Sequence, residues 1–283
     1  MKYHLTHIIP GPALHIFHGY KEIIETIQWG LAEHGHEVTY AINVLMPDAV
    51  NIVFGAQMLE VPILEGLPRN TVVYFLEPIA GLRPEQIRDS VRYCAENFSI
   101  WDYSEFNLAT WKALNPQGTF RHVPIGYAPI LTRIEKSEPQ DIDVLFYGGP
   151  GGMRLQVFAD LCQSLVKAVF VHGLYGASRD GLIARSKLVL NINQYPDTHV
   201  FEIARVSYLL ANRKAVISDF SASSKIEATI AGALKFVPVD SMVGECLKLL
   251  ADDAARTALE EAGFEIIRRR DIREILRPVL DGA

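Results

Sequence analysis

What most restricts the fold of this chain is a repeated change of period. Short runs rich in Val, Ile, Phe and Tyr alternate with segments of helical length in which apolar residues return every third or fourth position. Runs of the first kind fit strands buried on both faces, and their alternation with helices fits βαβ units around a mostly parallel sheet. The spacing predicts strands over 3–9, 38–44, 51–54, 71–76, 98–101 and 121–123, with helices over 20–34, 84–97 and 105–114. Gly35 stands at a helix stop and Pro84 at a helix start. The stretch PIGYAPILTRIEKSEPQDID, from Pro124 to Asp143, follows neither period and reads as a connection between domains. Alternation then resumes, with strands over 143–147, 168–172, 188–192, 215–218 and 234–237 and helices over 153–165, 178–186 and 200–211. From Met242 onward only helical patterns remain.

The expected fold class is therefore α/β, with two Rossmann-like domains over 1–128 and 143–283 joined by a linker over 129–142. Two such domains are expected to face a cleft at the carboxyl ends of their strands, where open α/β sheets bind ligands. There is room for the last helix to pack back on the first domain.

Composition narrows the chemistry. Lys plus Arg number 27 against 33 Asp plus Glu, a net charge of −6, which repels a nucleic-acid backbone. The one dense basic run, Arg268-Arg269-Arg270, reads as a solvated helix face, so no nucleic-acid partner is expected. Cys94, Cys162 and Cys246 are widely spaced and read as buried thiols of a reducing compartment. The most apolar windows are broken by Glu60 and by proline, so a soluble, cytoplasmic protein is expected. Attachment to a membrane surface through an exposed helix stays compatible with these counts.

Two segments carry the chemistry. In DVLFYGGPGGMR a buried strand runs through Gly148, Gly149, Gly151 and Gly152 into a helix. Such a turn lets backbone approach a ligand, and the helix start offers N–H groups and a positive dipole end to an anion. Arg154 stands one turn into that helix, where a diphosphate needs a counter-charge. A flexible turn with a solvated arginine is the plain alternative. The last glycine of G-x-G-x-x-G is missing and there is no G-K-[ST], so neither a dinucleotide fingerprint nor a P-loop is present. In the second segment, 188–218, a strand ends in Asn191, Asn193 and Gln194, and a helix opens with Glu202 in its first turn. A carboxylate there can accept two ribose hydroxyls or simply complement the helix dipole. Arg205 stands at i+3 from it, suited to pairing with it.

These segments, with 173–185 and LADDAARTALEEAGFEIIRRRDI, resemble the donor-binding half of GT-B glycosyltransferases, nearest to the group-1/family-4-like clan. The first half is similar only loosely, through NIVFGAQ, FLEPI and WDYS. The resemblance implies transfer of a sugar from a nucleotide-diphosphate donor to an acceptor hydroxyl, with no cofactor and no metal. It implies that Gly149 and Arg154 hold the diphosphate and that Gly173, Leu174 and Tyr175 border the base, with Asn193, Gln194 and Arg205 among the donor contacts. Glu202 matches the second glutamate of the retaining motif E-x7-E. The first is replaced by Gln194, which leaves the ribose contact in place and the sugar contact and stereochemistry open.

Acceptor chemistry is expected from the first half, where a general base must take the hydroxyl proton unless the donor phosphate does so. His18, beside Gly19 and a helix start, is the first candidate, ahead of Glu77; His15 and Asp102 are also near strand ends. Asp141-Ile142-Asp143 is formally D-x-D but precedes its strand, so a strand-entry turn accounts for it better than a metal site. Asp252-Asp253 reads as a helix cap. Two rivals share these signals: a nucleotide-sugar epimerase or hydrolase, and a catalytically silent nucleotide-sugar-binding partner subunit.

Overall fold

In a computed structural model, which describes residues 1–11, 18–193 and 200–281, the valine- and isoleucine-rich runs form two fully parallel sheets. The first contains β1 (Lys2–His7), β2 (Glu37–Ile42), β3 (Val50–Phe54), β4 (Val72–Phe75), β5 (Ser99–Asp102) and β6 (Phe120–His122) in the order β2-β1-β3-β4-β5-β6. Its central strands are buried on both faces: Ile52, Val53, Phe54, Val73 and Tyr74 are all inaccessible to solvent. That burial is why their sequences are continuously apolar rather than alternating. The second sheet contains β7 (Ile142–Tyr147), β8 (Ala168–Val171), β9 (Ser186–Asn191), β10 (Ala215–Asp219) and β11 (Lys235–Val237) in the order β11-β10-β9-β7-β8.

The chain divides into two compact units: residues up to Ala128 together with those from Asp271 onward, and Pro129–Arg270. In the first unit the helix Lys21–Glu33 buries Ile23, Ile24, Ile27 and Leu31 at three- and four-residue spacing. It stops at Gly35, whose φ of +77° lets its N–H and that of His36 turn back to Ala32 O and Leu31 O. Gly30 lets the helix Ile272–Leu280 cross close by, since a Cβ there would meet Leu276 Cδ1 at 2.8 Å. The chain re-enters this unit where Ile272 N donates to Tyr127 O at 3.1 Å.

In the second unit the stretch expected as a linker is tied down along its length. Thr132 Oγ1 donates to Ala211 O, Arg133 N and Ile134 N both donate to Asn212 Oδ1, and Lys136 pairs with the buried Glu260. Ser137 N and Gln140 Nε2 reach Ala184 O and Ser186 O, on which the buried Lys214 ammonium also donates. Burial holds Lys214 down to about 8.

Four expectations need correction. The helix expected over 84–97 begins at Asp89, because a 3-10 turn at Pro84–Gln86 is followed by extended backbone at Arg88. The helix expected from Val200 begins at Ile203: Val200 bridges Lys225, and Glu202, at ψ +60°, is the N-cap rather than part of the first turn. Cys94 and Cys246 are buried, but Cys162 lies on the solvent face of the helix Gly152–Gln163. In the basic triplet, Arg268 and Arg269 face solvent, whereas Arg270 is buried against Glu227 at 2.6 Å.

Candidate functional site

Each sheet order reverses beside its first strand, at β1/β3 in the first unit and at β7/β9 in the second. Such switch points part the connecting loops at the carboxyl ends of the strands and open a crevice there. In the second unit β7 ends at Tyr147 and passes through Gly148 and Gly149 to the helix Gly152–Gln163, whose N-cap Gly151 contributes no side-chain acceptor to the first-turn amides. β9 ends at Asn191, and Glu202 caps the helix Ile203–Ala211.

Arg154 joins these pieces. Its Nε and Nη2 donate to Ile192 O at 2.8 and 2.5 Å, Nη1 donates to Gly149 O at 3.0 Å, and Nη2 lies 3.4 Å from Glu202 Oε1. With only 4% of the residue exposed, this guanidinium braces the glycine turn against the end of β9. Arg205 takes the other carboxylate oxygen, Nη2 to Glu202 Oε2 at 3.0 Å, and its Nη1 reaches Asn191 Oδ1 at 3.4 Å. The Arg205 guanidinium lies over Phe146 and Tyr147, at 5.8 and 5.6 Å from the ring centroids, and it is the more exposed of the two. Gly148 has φ +153°, and a Cβ there would stand 3.3 Å from Arg205 Nη2.

β8 and β10 complete the surroundings. His172 Nδ1 lies 3.2 Å from Gly148 O, which sets the adjoining Gly173, at φ +70°, near the glycine turn; Tyr175, two residues on, is half-buried. Tyr175 is the N-cap of the helix Gly176–Arg185. Asn193 N donates to Asp219 Oδ1 at 3.1 Å, while the buried Asn193 Oδ1 has no partner among the described residues. Burial, reinforced by the negative charge of Glu202, holds the Asp219 carboxyl above the usual carboxylate range. Gln194 lies outside the described residues.

In the first unit the chemistry gathers at the ends of β3 and β4. Glu77 Oε1 accepts from Tyr20 Oη at 2.8 Å and from Gln57 Nε2 at 3.4 Å. Burial and the adjacent carboxylate push the Tyr20 phenol well above its ordinary range. His18 is exposed at the other end of the same 3-10 turn, His18–Tyr20, and His15 lies outside the described residues. Asp102 has a framework role: wholly buried, it accepts from Trp111 Nε1 at 2.6 Å, Ser104 N at 2.7 Å and Asn107 Nδ2 at 3.0 Å, and burial pushes it up to about 7. Glu77 lines a cavity of about 280 Å³ with Gln57, Met58, Ile79 and Val91 among its walls.

Asp141 and Asp143 are engaged at the entry of β7, by Arg185 at 2.6 Å and Lys187 at 2.7 Å, and Asp252 caps its helix by accepting from Ala255 N. No group of three or more His, Cys, Asp or Glu suited to a metal ion occurs among the described residues. No helix among the described residues is long and apolar enough to cross a membrane.

No family model matches the chain. Two uncharacterized proteins of Acanthamoeba polyphaga mimivirus are each 24% identical to it, over 187 residues (64% of this chain, 20% of the relative) and over 170 residues (58% and 55%). The chain thus spans between a fifth and about half the length of these curated relatives. Solved structures match over its whole length. AviGT4, a glycosyltransferase involved in avilamycin A biosynthesis, aligns with TM-score 0.59 and 17% identity, covering 100% of this chain and 99% of its own. HepE of Anabaena in complex with UDP-glucose aligns with TM-score 0.61 and 12% identity, covering 100% of both. WaaG, a glycosyltransferase involved in lipopolysaccharide biosynthesis, aligns with TM-score 0.60 and 12% identity, covering 99% of both.

The chain has the GT-B fold. On that fold four of the residues singled out in the sequence, Gly149, Arg154, Glu202 and Arg205, are joined by direct contacts, and Gly173 and Asn193 adjoin His172 and Ile192, which contact Gly148 and Arg154. Four contributors were not visible in the sequence. Phe146 reads as an ordinary core residue, yet Arg154 and Arg205 both lie against its ring. Asp219 ends a strand with no motif around it, and Tyr20 and Gln57 reach Glu77 only through tertiary contact. A polar residue at the end of a buried parallel strand, as at Asp219, or in the turn that follows one, as at Gln57, is the signal that marks such positions.

Proposed function

We propose that this chain transfers a glycosyl unit from a nucleoside-diphosphate sugar to an acceptor hydroxyl. The observation that carries the reading is the Gly148–Gly149 turn, Arg154, Glu202 and Arg205 meeting at one switch point. Solved neighbours of the same fold include one in complex with UDP-glucose.

The turn amides and the open first turn of the helix Gly152–Gln163 receive the diphosphate oxygens. Arg205 supplies the reachable positive charge, and Arg154 holds the turn in place. Glu202, oriented by both guanidiniums, accepts the ribose hydroxyls, and Tyr175 stacks against the base. In the transfer the acceptor oxygen bonds to the anomeric carbon while that carbon's bond to the diphosphate oxygen breaks. The acceptor proton passes to Glu77, with His18 as the second candidate base. Arg205 and the turn amides stabilise the leaving diphosphate, so the reaction is proposed to be metal-independent.

Donor turnover, followed with UDP-, GDP-, ADP- and TDP-sugars with and without a panel of hydroxyl acceptors, tests this. Acceptor-dependent release of nucleoside diphosphate that survives EDTA is the expected result. Acceptor-free turnover would favour an epimerase or hydrolase instead, and binding without turnover a silent partner, as the glutamine at position 194 suggests.

A further inference from the structure

The cavity beside Glu77 is walled mainly by apolar side chains. Its walls are Phe75, Ile79, Ile87 and Val91, all buried, and Met58 and Leu82 extend the apolar lining outward as exposed side chains. Three polar side chains, Glu77, Gln57 and Arg88, also line it. Glu77 and Gln57 are paired; Gln57 is 4% exposed, and its Oε1 has no partner among the described residues. Arg88 is exposed at the residue before the helix Asp89–Asn97. Its side chain contacts Met58 Sδ at 3.8 Å, a weak acceptor that does not satisfy a guanidinium.

A site with apolar walls, a carboxylate–amide pair and a cation selects by all three properties. Pyranose rings present hydroxyls on every edge, and each one set against Phe75, Ile79 or Val91 would lose its hydrogen bond to water without replacement. A planar or compact apolar body avoids that loss. The carboxylate of Glu77 takes a hydroxyl proton donor, and Arg88 takes an anion. The volume, about 280 Å³, lies just under the range of roughly 300–1,000 Å³ usual for small-molecule sites, enough for one ring and its substituents and too little for an oligosaccharide.

We infer that this cavity binds a small apolar hydroxy acid, one hydroxyl on Glu77 and Gln57 and one anionic group on Arg88, and that this molecule is the acceptor of the transfer. The acceptor role rests on the glycosyl-transfer reading; the binding site does not.

The test is a titration of protein labelled with ¹³C at its methionine methyls, reading the Met58 signal, assigned with Met58→Leu. 4-Hydroxybenzoate should shift it saturably, phenol and benzoate about tenfold more weakly for each missing polar contact, and glucose not at all. Arg88→Gln should bring 4-hydroxybenzoate down to the affinity of phenol and leave phenol unchanged. Val91→Phe, which fills the cavity, should abolish both responses while UDP binding, measured by calorimetry, shows that the second unit is intact. Glucose acting as strongly as 4-hydroxybenzoate, or responses indifferent to both variants, would overturn the inference. A silent Met58 signal in protein that binds UDP would overturn it and spare the glycosyl-transfer reading. A responsive Met58 in protein that binds no nucleoside diphosphate would support the pocket and defeat that reading.

Discussion

Replacing Arg154 by methionine keeps the apolar stem against Phe146 and removes the guanidinium. The side chain is 3% exposed, and it supplies three hydrogen bonds to the carbonyl oxygens of Ile192 and Gly149 as well as a contact with Glu202. Each charge-assisted bond contributes roughly 1.5–3 kcal/mol, but bonds sharing one group do not add, so the expected loss of stability is about 2–5 kcal/mol. It should appear as a lower urea midpoint for the second unit with an unchanged m-value. Affinity for a nucleoside diphosphate should fall as well, because the glycine turn loses its brace. Arg205→Met is the control: its guanidinium is more exposed and Glu202 keeps Arg154, so stability should fall by about 1 kcal/mol or less while affinity falls by about 1–3 kcal/mol. If Arg154→Met unfolded at the wild-type urea concentration while losing affinity, the bracing role assigned to Arg154 would be refuted.

Gly148→Ala combines a backbone conformation that L residues avoid with a Cβ 3.3 Å from Arg205 Nη2; a stability loss of about 1–3 kcal/mol and weakened UDP binding are expected by denaturation and calorimetry. Because burial and Glu202 raise the Asp219 carboxyl, protonating it removes a negative charge facing an anionic ligand. UDP affinity should therefore tighten as pH falls through that raised range, and Asp219→Asn should flatten the profile measured by calorimetry. Lys214→Met should stabilise the fold by roughly 1–3 kcal/mol at pH 7, since a wholly buried ammonium held down to about 8 is costly, while Ser137 N and Gln140 Nε2 still serve the carbonyls it leaves. The lysine's folded-state value lies below its unfolded value of 10.5, so its cost is complete below about pH 8 and fades above. The gap between wild type and variant, measured in urea, should close over that interval.

Much of the fold was legible because parallel strands buried on both faces have to be apolar throughout. The runs around Ile52, Val73, Leu145 and Val189 could hardly be anything else. Helix starts were less legible. Pro84 is a good first helical residue, but extended backbone at Arg88 resets the start to Asp89, and the bridge from Val200 to Lys225 delays the next helix to Ile203. Gly149, Arg154, Glu202 and Arg205, which meet in the fold, were readable in the sequence from the glycine-rich turn, the i+3 spacing and the family resemblance. What the sequence hid was how Arg154 is used: one turn into the helix, its position fits a solvated arginine equally well, and only the fold shows it turned inward onto Ile192 O. Glu77 was readable as a strand-end acid, but its partners Tyr20 and Gln57 come from two distant segments that no local pattern connects.

The proposed diphosphate site is made by the turn at Gly148–Gly149 and the residues braced around it. Backbone amide chemical shifts followed while UDP, GDP, ADP or TDP is titrated into ¹⁵N-labelled protein examine that site directly. The predicted result is a saturable perturbation concentrated on Gly148, Gly149, Gly152 and the Arg205 side-chain N–H, reduced by Glu202→Ala. Perturbations centred elsewhere, or no response to any of the four nucleotides at millimolar concentration, would contradict it.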